Sequence, residues 1–174
     1  MNKSDFCFDI LHKAYLLTND ITPKKYDCGI LCGSACCKDL SLSNIEETGM
    51  LLLPYEKEYL IKNGANESFF RESDGENFYI CNTTCNRNLR SLSCRIFPYY
   101  PKIINDKIKI IKDIRAVSFC PLLSRRAAKR PNVYFLRAIK RAVRILVKNK
   151  DYYDEFVKTS DFLNCLCEMY SRFM

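Results

Sequence analysis

The feature that most constrains this chain is its cysteine content, because eleven cysteines accompany a single histidine in 174 residues. Six of them form a first cysteine cluster and a middle pair, which are Cys28, Cys32, Cys36 and Cys37, and then Cys81 and Cys85. A buried structural cysteine behaves as a small apolar residue and has no reason to gather with others. Thiolates held close together repel one another unless a cation neutralises them, so the grouping favours a metal site.

A disulfide framework is the weaker interpretation of these cysteines. They make up about 6% of the chain, below the roughly 8–10% of short disulfide-bonded scaffolds. The first residues, Met1 to Asp5, do not lead into a secretory apolar segment, and no strongly apolar run exceeds four residues. We therefore expect a soluble cytoplasmic protein with no transmembrane segment, in which cysteine-rich sequence points to metal or thiol chemistry.

The identity of the metal stays open between iron–sulfur and zinc. Three-residue gaps between cysteines fit the spacing of zinc ligands. Iron–sulfur clusters also take four thiolates, and some of their motifs end in Cys-Pro, as Cys120-Pro121 does. The number and spread of the cysteines favour iron–sulfur by a small margin, and the number of metal ions is not set by the sequence.

Hydrophobic periodicity predicts a mixed α+β fold. It predicts helices over 5–18, from Pro54 to Gly64, within 121–150 and over 151–172, strands over 50–53 and 78–80, a loop over 65–77 with a turn at Asp74-Gly75, and a β-hairpin of 102–104 and 107–111 around Asn105-Asp106. The predicted apolar side of the last helix comprises Tyr153, Phe156, Val157, Leu163, Leu166 and Tyr170. We expect a small irregular cysteine-rich metal-binding domain over 1–121, with a short hairpin or sheet, and a basic C-terminal helical pair over 122–174 packed on it.

Positive charge is concentrated near the C-terminus. Residues 121–150 contain ten lysines and arginines and no acid, whereas the net charge of the chain is only +8. A helix here presents a candidate surface for an acidic protein or a nucleic acid, formed by Arg137, Lys140, Arg141, Arg144 and Lys148. Tyr134 and Phe135 are candidates for stacking on bases. The alternative is that these charged residues are simply the solvent-exposed face of a helix.

The residues after Cys94 form a proline-rich motif, Cys94-Arg95-Ile96-Phe97-Pro98-Tyr99-Tyr100-Pro101. Pro98 and Pro101 restrict the backbone to extended conformations and orient the cysteine before them. The Arg95 guanidinium is a candidate to offset the negative charge of a thiolate-ligated metal. The alternative is an aromatic-rich turn that packs on the core.

Together, the first cysteine cluster, the middle pair and this motif resemble the YkgJ-type cysteine-cluster proteins, which are described as zinc- or iron-chelating domains. The resemblance covers about residues 26–121. It implies a metal centre whose ligands come from Cys28, Cys32, Cys36, Cys37, Cys81, Cys85, Cys94 and Cys120. Electron transfer or metal handling is the function that would follow.

Other functions stay open beside metal binding. A related cysteine pattern occurs in the longer flagellin lysine-N-methylases. It suggests the hypothesis of a protein methylase supported by a metal cluster, although no Gly-x-Gly-x-x-Gly motif is present. A cysteine–histidine nucleophile pair would have to use His12, which is better explained as an ordinary helix residue. No catalytic residue is assigned, and Cys7, Cys165 and Cys167 are expected to be core residues or free thiols.

Overall fold

The computed structural model describes residues 3–24, 33, 36, 49–80, 86–117, 120–123 and 131–172. The helices are α1 (Lys3–Thr18), α2 (Glu56–Lys62), α3 (Leu92–Ile96), α4 (Val133–Leu146) and α5 (Lys150–Arg172). The strands are β1 (Met50–Leu51), β2 (Phe70–Ser73), β3 (Glu76–Tyr79), β4 (Tyr99–Ile104) and β5 (Lys107–Lys112). The predicted α+β class and C-terminal helical pair are confirmed.

Two antiparallel sheets are present in the described residues. In the first, β3 lies between β1 and β2, with Met50 and Phe70 both opposite Tyr79. In the second, β4 and β5 form the predicted hairpin. Asn105 and Asp106 both have positive φ, of 47° and 58°, which is the conformation of a two-residue turn that matches the twist of a hairpin.

The predicted loop over 65–77 is wrong for most of its length. Residues 67–69 form a short 3₁₀ helix and 70–73 form β2, which pairs with β3 across the predicted turn at Asp74-Gly75. The sequence Phe70-Arg71-Glu72-Ser73 lacks the alternation of a half-buried strand. Its strand conformation comes from hydrogen bonding to β3 and not from its own pattern.

One hydrophobic cluster contains side chains from α1, α2, α4 and α5 together with β4. Helix α4 packs along α1, and α5 packs on β4. Leu11 of α1, Leu60 of α2 and Ile139 of α4 are fully buried there. The residues after position 121 therefore contribute two helices to a core that they share with the earlier part of the chain.

Helix α5 is rotated from its predicted orientation. Phe156 and Leu163 are buried as expected, but Tyr152 is also fully buried, and its hydroxyl donates to the backbone oxygen of Cys7 at 3.2 Å. Tyr170 is 57% exposed, and Leu163 is the last described residue of this helix that is buried. No helix in the described part of the chain has the length and apolarity that crossing a bilayer requires.

Candidate metal centre

Three of the eight predicted ligands lie in the described residues. Cys36 is exposed, Cys94 is half-buried and Cys120 is buried. The other five lie outside the described residues, and they are Cys28, Cys32, Cys37, Cys81 and Cys85. Among the residues that the structure describes, no three His, Cys, Asp or Glu side chains are grouped as a metal site requires. The described geometry therefore concerns the surroundings of Cys94 and Cys120.

Cys94 lies in α3, where its backbone N–H donates to the Ser91 hydroxyl oxygen at 3.3 Å. It lines a small cleft with residues from two other parts of the chain. Thr22 and Pro23, which lie shortly before the first cysteine cluster, form one wall. Arg87 and Arg90, which follow the middle pair, line the cleft too. The Cys94 cleft is thus lined by residues that precede the first cysteine cluster and residues that follow the middle pair in the sequence.

Arg95, which is only 8% exposed, makes five hydrogen bonds beside this cleft. Its guanidinium nitrogens donate at 2.8–3.4 Å to the backbone oxygens of Arg90, Tyr15, Arg87 and Asn88 and to the side-chain oxygen of Asn19. A guanidinium has five N–H donors, so none is left for a thiolate. The predicted compensation of thiolate charge by Arg95 stays a prediction, and it would have to act through space.

These bonds make Arg95 a clamp between separate parts of the chain. Asn19 lies nine residues before Cys28, Tyr15 lies one helical turn earlier, and Arg87 lies two residues after Cys85. Arg95 is itself the neighbour of Cys94. The Arg95 side chain therefore joins the end of α1, which precedes the first cysteine cluster, to residues 87–90, which follow the middle pair, beside Cys94.

The two prolines of the motif continue this framework. The backbone oxygen of Pro98 accepts a hydrogen bond from the Asp113 N–H at 2.9 Å. Pro101 lies in β4 opposite Ile110, and both prolines are buried. The chain after Cys94 is therefore fixed to the hairpin.

Cys120 follows β5 in the sequence and lies near Tyr99, the first residue of β4. Its backbone N–H donates to the Ala116 oxygen at 2.8 Å, which anchors it at the end of a 3₁₀ turn. Burial and, to a lesser extent, negative charge on Cys120 raise the pKa of Tyr99. Tyr99 is two residues from Phe97, which lines the Cys94 cleft.

A buried carboxylate, Glu56, is hydrogen-bonded to Tyr15, which Arg95 also contacts. It is fully buried and accepts three hydrogen bonds, from the Tyr15 hydroxyl and the Leu92 N–H at 2.6 Å each and from the Leu53 N–H at 2.8 Å. The Arg95 guanidinium lies over the Tyr15 ring, with its central carbon 4.3 Å from the ring centre. Burial raises the pKa of Glu56, although its hydrogen bonds and Arg95 act in the opposite direction.

The raised pKa of Glu56 predicts a pH-dependent stability. Between the ordinary value of 4.5 and the higher folded value, the folded protein binds more protons than the unfolded chain. The free energy of unfolding should therefore fall as pH rises through that window. In denaturant titrations from pH 4.5 to 8, wild type should lose stability relative to Glu56→Gln. Glu58→Gln, at an exposed position of the same helix, is the control, and a pH-independent difference for Glu56→Gln would contradict the prediction.

The histidine and the three cysteines outside the predicted ligand set lie away from the Cys94 cleft. His12 is exposed on α1, with its Nδ1 atom 3.1 Å from the Tyr59 hydroxyl oxygen. Cys7 is completely buried in the core, whereas Cys165 and Cys167 are exposed on α5. The prediction that Cys7 belongs to the core is confirmed.

The predicted basic residues are all exposed, and we name them the basic surface: Arg137, Lys140, Arg141 and Arg144 lie along one face of α4, and Lys148 lies two residues beyond the end of the helix. None of these cations forms an ion pair with a carboxylate of the described residues. Tyr134, at the start of this face, is 67% exposed. Phe135 is 2% exposed, with its ring packed edge-on to Tyr99, so it is unavailable for stacking on a base.

Sequence inspection missed the environment of Arg95, although Arg87 and Arg90 between the middle pair and Cys94 gave a local signal of positive charge. Asn19 and Glu56 gave no such signal, because their roles depend on contacts across long sequence separations. Comparisons of this chain with family models, with curated proteins and with solved structures found no match.

Proposed function

We propose that this chain is a metal-binding protein of the kind that the YkgJ-type resemblance implies. Its ligands would come from Cys28, Cys32, Cys36, Cys37, Cys81, Cys85, Cys94 and Cys120. The observation that carries the proposal is the Arg95 clamp, which ties the end of α1, before the first cysteine cluster, to residues 87–90, after the middle pair, beside Cys94. Cysteines far apart in sequence are expected to meet only where such a scaffold brings their segments together.

The charge around the Cys94 cleft supports the same proposal. Four thiolates around a dication leave a net charge of about −2, which is costly to hold in a partly buried site. Arg87, Arg90 and Arg95 all line the cleft and bring positive charge to it. When bound, an iron–sulfur cluster supplies one-electron transfer, whereas a four-thiolate zinc ion supplies a structural cross-link.

Metal and sulfide analysis of anaerobically purified protein tests this proposal. Brown protein with iron and acid-labile sulfide would identify a cluster, and colourless protein with stoichiometric zinc would identify the structural alternative. Protein that is folded by circular dichroism but holds neither metal after anaerobic purification, and takes up neither on reconstitution, would refute the proposal.

We also propose a second function, the binding of an acidic macromolecule by the basic surface of α4. The observation that favours it is that five neighbouring exposed cations, four on α4 and Lys148 just beyond its end, have no carboxylate partner among the described residues. The opposite face of α4 is buried in the core, so the row of cations is held on a rigid support.

Retention on a heparin column tests this second function. We expect wild type to elute at a salt concentration well above that of the variant with Arg137→Glu, Arg141→Glu and Arg144→Glu, because charge reversal turns attraction for a polyanion into repulsion. A control with equal change in net charge is Lys62→Glu, Lys107→Glu and Lys109→Glu, which alters exposed lysines outside α4. Equal loss of retention in both variants would show that net charge and not the basic surface is responsible.

A further inference from the structure

We propose that the partner of the basic surface is single-stranded nucleic acid, whose phosphates follow the row of cations while one base stacks on Tyr134. This inference rests on the second proposed function and names its ligand class. It depends on the orientation of α4, which exposes Tyr134 beside Arg137 and buries Phe135.

The cations form a row suited to a repeating polyanion. Arg137, Arg141, Arg144 and Lys148 follow one another at three- or four-residue intervals, and Lys140 lies beside them. Residues at this spacing are neighbours on a helix surface, about 5–6 Å apart. From Arg137 to Arg144 the row extends about 10 Å along the helix axis, and Lys148 lies just beyond the end of α4. A phosphate backbone matches such a row because it carries one charge for every nucleotide.

Tyr134 adds an aromatic surface to the same face. It lies three residues before Arg137, whose guanidinium carbon is 6.0 Å from the centre of the tyrosine ring. The ring is 67% exposed, and no other aromatic ring of the described residues packs against it. Its hydrophobic body is therefore presented to solvent immediately beside the first cation of the row.

An exposed ring at the end of a row of cations distinguishes nucleic acid from an acidic peptide. Carboxylates of a peptide match the cations but give Tyr134 no required partner, whereas every base offers a flat π surface. Bases are accessible for such stacking when they are unpaired. The arrangement thus favours a single strand over a duplex and is tolerant of base sequence.

Fluorescence anisotropy with a labelled oligouridine of about 16 nucleotides tests the proposal on the anaerobically purified protein. Five phosphate contacts predict that raising salt from about 50 to about 200 mM weakens binding roughly a hundredfold. Tyr134→Ala should weaken binding by about fivefold to a hundredfold through lost stacking. Tyr170→Ala, at an exposed tyrosine of α5, is the matched control and should leave affinity unchanged.

The arms of the experiment separate the possible partners. Loss of binding on charge reversal of Arg137, Arg141 and Arg144, together with weakening by Tyr134→Ala alone among the two tyrosine variants, supports the proposal. If Tyr134→Ala has no effect and polyglutamate competes as well as the oligonucleotide, the nucleic-acid assignment is overturned while the acidic-partner function stands. Tighter binding to a duplex overturns the single-strand assignment, and binding to neither polymer overturns both. Far-UV circular dichroism verifies that each variant is folded.

Discussion

Replacing Cys94 with serine is expected to remove most of the metal from the purified protein. Serine keeps the shape of the side chain but supplies a hydroxyl, which is not deprotonated at neutral pH and is a poor ligand for zinc or an iron–sulfur cluster. Loss of an outer partner of a metal ligand already costs about 10–100-fold in affinity, so loss of the ligand should cost more than about 100-fold. The measurement is metal content per chain after desalting.

Cys165→Ser is the matched control for this prediction. Cys165 is exposed on α5, in the part of the helix that lies beyond the buried core residues. Its replacement removes one thiol from the chain without altering the Cys94 cleft, so metal content should equal that of wild type. If Cys94→Ser retained full metal content, Cys94 would have to be removed from the ligand pool.

Replacing Arg95 with methionine should lower the free energy of unfolding by about 3–5 kcal/mol. The change removes one donor from each of four backbone oxygens and from the Asn19 side-chain oxygen. The Tyr15 and Arg87 oxygens keep a second donor, the Thr18 hydroxyl and the Arg90 N–H, and the other three acceptors lose the donor that Arg95 supplies. Each polar group left buried and unsatisfied costs about 1–3 kcal/mol, and entry of water reduces the sum. Arg95→Lys should be intermediate, because lysine keeps the charge but has only three donors on one nitrogen.

Arg137→Met provides the comparison for Arg95. Arg137 is exposed on α4, and its replacement should change the free energy of unfolding by no more than about 0.5 kcal/mol. Urea denaturation of metal-depleted protein measures both variants without a contribution from metal binding. If Arg95→Met were no more destabilising than Arg137→Met, the five hydrogen bonds would not be holding the chain segments together.

Local sequence patterns predicted the elements whose formation depends on local chemistry. The apolar spacing of α1, the proline and glycine that border α2, and the turn pair Asn105-Asp106 followed by the alternating residues 107–110 each indicate the element that the structure contains. The turn at Asp74-Gly75 was predicted for the same reason, since Asp and Gly tolerate the positive φ values found there.

Features that depend on distant partners were not predictable in this way. The strand conformation of 70–73 is imposed by β3, and the burial of Tyr152 in place of Tyr153 depends on its contacts with Cys7 of α1 and with the Tyr55 ring. Glu56 lies in the first turn of α2, and its complete burial depends on donors from Tyr15, Leu53 and Leu92. For the candidate site, the motif around Cys94 indicated Arg95, and only the structure gave its five acceptors.

The most direct test of the central claim is X-ray absorption spectroscopy at the edge of the metal that copurifies with the full chain. The account predicts a first coordination shell of four sulfur atoms, at about 2.3 Å if the metal is zinc. For an iron–sulfur cluster, the spectrum would contain a shell of neighbouring iron atoms beyond the first shell of sulfur atoms. A first shell made of oxygen and nitrogen, in protein that binds metal stoichiometrically, would contradict it.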